Sequence, residues 1–146
     1  MKTVNEMKLT LESRSSNESF ARVAVAAFVA QLDPTIEELN DIRTCVSEAV
    51  TNCIVHAYKE ALGKIYITVS LSDNAVVTVK IRDKGCGIAD VKQAMEPLFT
   101  TGGDERAGLG FAVMESFSDK VSVRSKQGVG TTVTIQKKIR QRVKYA

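Results

Sequence analysis

The sequence has few of the residues that disulfide frameworks, base-stacking surfaces and membrane spans require. Its 146 residues include three cysteines and no tryptophan, and only 5% are aromatic. No apolar run approaches the roughly 20 residues of a membrane-spanning helix, and the first six residues have no apolar core like that of a signal peptide. With 44% hydrophobic and 25% charged residues, the composition is typical of one globular domain. We therefore expect a cytoplasmic protein that does not contact a membrane.

The three cysteines lack the spacing of a metal or disulfide site. Cys45, Cys53 and Cys86 are odd in number, and neither a Cys-x-x-Cys pair nor a Cys/His ligand spacing is present. We expect three reduced thiols that pack in the core.

Positive charge is concentrated at the C-terminal end. The net charge is +3, but residues 137–146 contain five of the 20 basic residues and none of the 17 acidic ones. The rest of the chain therefore has 15 basic and 17 acidic residues, which, with so few aromatic side chains, argues against a nucleic-acid-binding platform. We interpret residues 1–137 as the domain and residues 138–146 as a solvated basic tail, with docking to an acidic partner as the alternative.

The first part of the chain predicts a strand followed by a helix. Met7, Leu9 and Leu11 alternate with polar residues, as in a half-buried strand. A helix is predicted over residues 18–32, with N-cap chemistry in the three residues before it. Arg22 is expected on its exposed side. The predicted apolar face consists of Phe20, Val23, Ala24, Ala27, Phe28 and Leu32.

A second helix is predicted from a capping box at Thr35–Glu38 to about Tyr58. Along its apolar face lie Ile42, Val46, Ala49, Cys53 and Ala57. Glu48, Asn52 and His56 have i, i+4, i+8 spacing and form a polar stripe at the border of that face. Charge at a core boundary is costly unless it is paired, bound to metal or functional. For His56 we expect a packing role.

The remainder alternates between strands and helices. Strict alternation predicts an antiparallel hairpin, then a short helix ending before Pro97, a polar loop, a helix and two closing strands. The hairpin strands are placed at residues 65–71 and 77–81, the short helix at 90–96 and the polar loop at 97–110. The next helix is placed at 109–117 and the closing strands at 120–125 and 130–137.

Two glycine-rich segments could approach a ligand closely. Asp83-Lys84-Gly85-Cys86-Gly87 follows the second strand of the hairpin, so an acid at a strand end is joined to a permissive backbone. Gly108-Leu109-Gly110 is expected to open a helix, where free N–H groups and the helix dipole favour phosphate. The P-loop, the dinucleotide fingerprint and the protein-kinase signature set are all absent.

Taken together, these motifs resemble those of the GHKL ATPases and kinases. Ser47–Asn52 resembles their N box and Asp83-x-Gly85-x-Gly87 their first glycine box. The later boxes are matched by Pro97–Thr101, Gly108–Gly110 and Gly130–Thr132. The resemblance implies the Bergerat ATP-binding fold, an α/β two-layer sandwich with a mixed, mostly antiparallel sheet and helices on one face. It also implies binding of ATP and ADP with Mg²⁺.

Over nearly the whole chain the sequence is similar to the sporulation anti-sigma factors of that superfamily. The residues that carry this likeness are Asn17–Arg22, Leu32–Thr35 and Pro97–Thr101. The resemblance implies a homodimeric serine protein kinase that binds a sigma factor, sigma F, and phosphorylates a serine of an anti-anti-sigma factor. Arg22 and Arg106 are its implied partner contacts.

Residue by residue, the resemblance implies the following roles. Glu48 is the general base, and Asn52 is the Mg²⁺ ligand. Asp83 accepts from the adenine amino group, with Gly85, Gly87 and Thr131 beside it. Thr101, Gly108 and Gly110 lie near the phosphates.

Two related functions are alternatives. A stress-response anti-sigma kinase of the same family would bind a different sigma factor. An ATP-gated sigma-binding module would lack kinase activity. A sensor histidine kinase is excluded because the only histidine, His56, lies in the N-box helix.

Overall fold

The computed structural model describes residues 1–59, 61–95 and 105–140, the last range without the side chains of residues 105–108. Five strands form one sheet in the order β1-β2-β3-β5-β4. Their bounds are β1 Thr3–Glu12, β2 Lys64–Ser72, β3 Val76–Asp83, β4 Lys120–Lys126 and β5 Gly130–Lys138. The two-layer α/β sandwich is confirmed. Every strand pairing in the described sheet is antiparallel, so the expectation of a mixed sheet was wrong.

The sheet is packed on one face and open on the other. Side chains alternate along each strand, and the inward set is buried under the helices. This set includes Ile65, Ile67, Val69, Leu71, Val77, Val79, Ile81, Val133 and Ile135. The register pairs Ile67 with Ile81, and Ile81 with Val133, so the buried residues form rows across the strands.

The helical layer contains four α-helices and two short segments of other helix type in the described chain. They are α1 Ser16–Val29, a 3₁₀ turn Ala30–Leu32, α2 Ile36–Asn52, a π-helix Cys53–Ala57, α3 Val91–Ala94 and α4 Glu105–Ser116. None of the helices described is long and apolar enough to cross a membrane.

The buried face of α1 differs from the predicted one. Its buried residues are Ala21, Val25, Ala26 and Val29, whereas Phe20 and Val23 are each 53% exposed. Small side chains let α1 lie close to α2, and the prediction had weighted the larger hydrophobic residues instead.

The predicted N-cap of α1 was also wrong. Ser15 has helical φ and ψ and makes no side-chain cap hydrogen bond. Instead, the Asn17 side-chain amide donates from Nδ2 to the Glu12 carbonyl at 2.9 Å, which holds the first turn of α1 against the end of β1.

The capping box of α2 is confirmed. The Glu38 amide donates to the Thr35 hydroxyl at 3.0 Å, and the Thr35 amide donates to the Glu38 carboxylate at 2.9 Å. The other Glu38 oxygen accepts from the Arg140 amide at 2.9 Å. The start of α2 therefore also anchors the chain that leaves β5. Part of the expected tail belongs to the domain, because Lys138 ends β5 and Ile139 is buried.

Helix α4 begins four residues earlier than predicted. It starts at Glu105, so Gly108 and Gly110 lie within its first two turns and not at its entry. The expectation that these glycines open the helix was wrong, because three helical residues precede Gly108 and five precede Gly110.

Candidate functional site

Glu48 and Asn52 converge on a glycine of α4. Both lie on the border of the buried face of α2, and each is half-buried. A methyl group built on Gly110 would lie 3.1 Å from Glu48 Oε2 and 3.6 Å from both amide atoms of Asn52. The absence of a side chain at Gly110 lets α4 lie close to this carboxylate and carboxamide.

The Asn52 amide is incompletely satisfied. Its Nδ2 is buried and makes no hydrogen bond with any residue that the structure describes. Because a buried polar atom without a partner costs free energy, this amide fits a site that a polar ligand completes. One face of such an amide can donate to a phosphate oxygen while Oδ1 accepts or binds a cation.

Asp83 occupies the end of β3 and is only 6% exposed. Its Oδ1 accepts from the amides of Gly85 at 2.9 Å and Thr131 at 3.2 Å. Its Oδ2 contacts the Cys53 thiol at 3.6 Å. Burial raises the pKa of Asp83, and these three hydrogen bonds oppose the rise. One oxygen is thus held by the backbone, while the other retains capacity to accept.

The π-helix joins these two places. It follows Asn52 directly, with the Tyr58 amide donating to the Cys53 carbonyl at 3.1 Å. At its end, the Ala57 carbonyl accepts from the Cys86 amide at 3.1 Å. A methyl group on Gly85 would lie 2.4 Å from that carbonyl oxygen, so this close approach requires glycine.

The turn between β4 and β5 supports the same glycine-rich loop. Gly87 has φ +74°, and a methyl group there would lie 2.2 Å from the Lys126 carbonyl oxygen. The Gly128 amide donates to the Cys86 carbonyl at 2.7 Å. The Ser125 hydroxyl accepts from the Ile88 amide at 2.7 Å. The loop after β3 is therefore held from both sides.

Comparisons with known proteins match this architecture. The model of the histidine kinase-like ATPase domain family matches residues 11–137. The anti-sigma F factor of Caldanaerobacter subterraneus subsp. tengcongensis is 56% identical over 136 residues, which cover 92% of this chain and 94% of that protein. The anti-sigma F factor of Bacillus subtilis is 55% identical over 135 residues, 91% of this chain and 92% of that protein. The chain belongs to the anti-sigma F factor family.

Solved structures with low identity share the fold. The RsbU and RsbW domains of a Mycobacterium tuberculosis protein match with a TM-score of 0.70 and 19% identity, over 93% of this chain and 32% of that one. Full-length ShkA in complex with AMPPNP matches with a TM-score of 0.60 and 20% identity, over 87% of this chain and 31% of that one.

ATP binding follows from membership of this ATPase family. Within the anti-sigma F factor fold, the predicted residues fall into two groups. Glu48 and Asn52 meet Gly110 at one end. Asp83, Gly85, Gly87 and Thr131 are gathered at the other. Cys53 links the two groups, because it follows Asn52 in the chain and its thiol contacts Asp83.

Other predicted residues are outside these two groups. Thr101 lies outside the described residues, and of Arg106 and Gly108 only the helical backbone is described. Arg22 was expected to be exposed, but it is half-buried, and its Nε lies 4.0 Å from Glu18 Oε1. The Glu18 carboxylate also accepts a hydrogen bond from the Ser47 hydroxyl. Glu18 therefore lies between Arg22 of α1 and Ser47 of α2, while the buried Arg22 Nε makes no hydrogen bond with a described residue.

Three residues of the site were missed by sequence reasoning. Cys53 carries no signal beyond its place on the apolar face. The Ser125 hydroxyl lies 2.7 Å from the Thr131 hydroxyl, and the Tyr58 hydroxyl accepts from the Lys84 amide at 2.6 Å. The contacts of Cys53 and Tyr58 join segments 30 and 26 residues apart, which no local pattern predicts. Ser125 and Thr131 pair across the β4–β5 hairpin, so their contact depends on its register.

The cysteines are free, as expected, but only two of them are core residues. Cys45 and Cys53 are buried, and burial raises the pKa of the Cys45 thiol to about 12. Cys86 is exposed, so its expected packing role was wrong. It lies in the loop after β3, where its neighbours Gly85 and Gly87 leave little side-chain cover.

Proposed function

We propose that the chain is an ATP-dependent serine protein kinase of the anti-sigma type. In its ATP state it binds sigma F, and it transfers the γ-phosphoryl group to a serine of an anti-anti-sigma factor. The observation that carries the proposal is the approach of Glu48 and Asn52 to Gly110, which places a carboxylate and a carboxamide side by side where α2 faces α4.

The Gly110 end would receive the phosphates. Asn52 fits Mg²⁺ there because its buried amide lacks a partner among described residues, and Mg²⁺ takes oxygen ligands together with phosphate oxygens and waters. No group of three His, Cys, Asp or Glu side chains in the described chain is placed to hold a metal ion, and we propose that Asn52 and the nucleotide share the coordination. The metal would neutralise phosphate charge. By resemblance, Thr101 and Gly108 lie near the same phosphates.

Glu48 would act as the general base. The serine hydroxyl oxygen attacks the γ-phosphorus, its proton passes to the Glu48 carboxylate, and the bond to the β-phosphate oxygen breaks to release ADP. Phosphoryl transfer needs mostly positioning and charge neutralisation, and a carboxylate one helical turn before Asn52 is within reach of the same substrate group.

The Asp83 end would recognise adenine. Asp83 Oδ2 is the oxygen with remaining acceptor capacity, since the backbone amides of Gly85 and Thr131 bind Oδ1. The adenine amino group would donate to Oδ2. Gly85 and Gly87 would let the base lie close to the backbone.

The identities of the partners rest on the relatives. Relatives at 51–56% identity are named anti-sigma F factors, which favours sigma F over the sigma factor of a stress-response kinase. Arg22 and Arg106 remain proposed partner contacts, and a homodimer remains the proposed assembly.

The test is the intact mass of an anti-anti-sigma protein after incubation with the chain and Mg-ATP. We expect a gain of one phosphate with wild type and none with Glu48→Gln. The matched control is Glu115→Gln, which changes an exposed glutamate on α4 and should leave transfer intact. ATP binding is measured for all three by calorimetry.

The outcomes separate the alternatives. Transfer by Glu48→Gln at the wild-type rate would remove Glu48 from the mechanism. If the wild type binds ATP but transfers no phosphate, the result would favour the ATP-gated binding module or a partner from another pathway.

A further inference from the structure

The sheet face opposite the helices is open. Along β3, β5 and β4 its side chains are those that alternate with the buried set, and no described helix packs on them. The chain after β5 turns away from this face, because Ile139 is buried and the Arg140 amide donates to Glu38 on α2. The segment that follows β5 thus begins on the helical side.

Exposed cations lie on this face along the adjacent strands β3, β5 and β4. Lys80 and Arg82 of β3, and Lys120 and Arg124 of β4, are all exposed. We call these four residues the basic face. Strand β5 separates the pair on β3 from the pair on β4, so the two pairs are about 10 Å apart, twice the strand spacing. Arg82 and Arg124 lie in the same row, since both pair with Thr132.

The charges of the basic face are not neutralised by described acids. Lys80, Lys120 and Arg124 form no ion pair with a described residue. The acids on the open side of β1 have other partners, since Glu6 pairs with Lys8 at 3.9 Å and Glu12 with Arg14 at 3.6 Å. The basic face therefore combines positive charge with no compensating carboxylate of its own in the described chain.

Hydroxyl and amide groups lie between the cations of the basic face. A depression of about 440 Å³ is lined by Lys80, Lys120 and Arg124, together with Ser122, Thr132, Thr134 and Gln136. Carboxylates accept hydrogen bonds from hydroxyl, amide and cationic donors alike. The depression thus offers several donors to the carboxylates of an acidic segment.

We propose that the basic face docks an acidic segment of a partner protein. An acidic segment is the expected occupant because its negative charge is complementary to the positive charge of the basic face. Nucleic acid fits less well because stacking platforms need exposed aromatic rings, and Tyr66 is the only aromatic residue in the five strands. Arg82 and Lys84 already lie over its ring, at 4.8 and 5.2 Å from the centroid. A longer polyanion would also meet Glu6 and Glu12.

The test is an NMR titration of the ¹⁵N-labelled full chain with an eight-residue glutamate-rich peptide at low salt. We expect amide shifts confined to β3, β4 and β5. Lys80→Gln/Lys120→Gln should weaken binding about tenfold, as for the loss of two exposed ion pairs. The matched control, Lys2→Gln/Lys59→Gln, removes the same charge from exposed lysines elsewhere and should bind like wild type.

Two further arms complete the test. A glutamine-rich peptide of equal length should not bind, and ionic strength above about 0.3 M should abolish binding of the acidic peptide, since exposed charges are screened. Shifts that map elsewhere, equal loss in both double variants, or no binding at millimolar peptide would overturn the proposal. Tighter binding of an eight-residue oligothymidylate to the same strands would replace the acidic segment with nucleic acid.

Discussion

At the scale of single residues, Asp83 shows how a ligand group is kept ready in a buried position. Backbone amides bind Oδ1, whereas Oδ2 contacts only the Cys53 thiol in the described chain. A buried carboxylate oxygen with only a thiol as partner is costly in the absence of ligand, and burial of the carboxyl raises its pKa. The residue is arranged for binding rather than for stability.

Asp83→Asn should therefore separate stability from binding. At pH 7 the variant should unfold at an equal or higher temperature than wild type, because the amide can keep both bonds to Oδ1 without a buried charge. Because the pKa of Asp83 is raised, its carboxyl is not destabilising at low pH. The destabilisation develops as the pH rises from 3.8, the ordinary pKa of the carboxyl, through its pKa in the folded state. The advantage of Asn should shrink as the pH falls through that window.

The measurement is thermal unfolding from pH 3.5 to 7.5, with ATP affinity measured by calorimetry at pH 7.5. Asp73→Asn, at an exposed turn position, is the control. We expect ATP affinity to fall at least tenfold for Asp83→Asn alone. Retained affinity would contradict the proposed recognition of adenine.

At the scale of elements, α2 is the helix that organises the molecule. Its capping box starts it and holds the end of β5, its border carries Glu48 and Asn52, and its π-helical extension holds the loop after β3. The Ala57 carbonyl ends this extension and has no later helical N–H to accept from, so it is satisfied by the Cys86 amide.

Thr35→Ala should lower the free energy of unfolding by about 1 kcal/mol, the usual cost of losing an N-cap side chain. The helix would keep its Glu38 contact to Arg140, so the variant should still fold. Urea unfolding measures the difference.

Thr44→Ala, a half-buried position in the middle of α2, is the matched control, and it should change stability less because alanine favours helix interiors. An equal loss in both variants would show that the effect is not one of capping.

At the scale of the whole molecule, the two ends of the site belong to elements from both layers. Residues of α2 and α4 form one end, and residues at the ends of β3 and β5 form the other. A ligand that spans them binds only the folded chain, so its binding free energy adds to global stability.

Mg-ATP at about 100 times its Kd should stabilise the chain by about 2.7 kcal/mol, or roughly 5–10 °C in Tm. Asn52→Ala should lose most of this shift and should match wild type without nucleotide, because its Nδ2 has no partner in the described chain. Removing the metal with EDTA should reduce the wild-type shift toward that of the variant.

Asn40→Ala, at an exposed position of the same helix, is the control and should retain the full shift. A shift in Asn52→Ala equal to that of wild type, or one insensitive to EDTA, would rule out the proposed role of Asn52 in metal binding.

Local patterns in the sequence were sufficient for much of the fold. The alternation in β1, β2, β3 and β5, and the Thr35–Glu38 capping box, were predicted correctly because each depends on residues a few positions apart. The glycines of the loop after β3 were recognised for the same reason, since a permissive backbone is a property of the residue itself.

The sequence by itself determined the alternation of hydrophobic and polar residues along the strands, the cap of α2 and the identity of the candidate ligand groups. Tertiary structure decided which face of α1 is buried, where α4 begins, and that the Cys53 thiol contacts Asp83. Those outcomes depend on how closely two distant segments approach. Packing distance is set by the whole core, so a periodic pattern within one helix does not contain it.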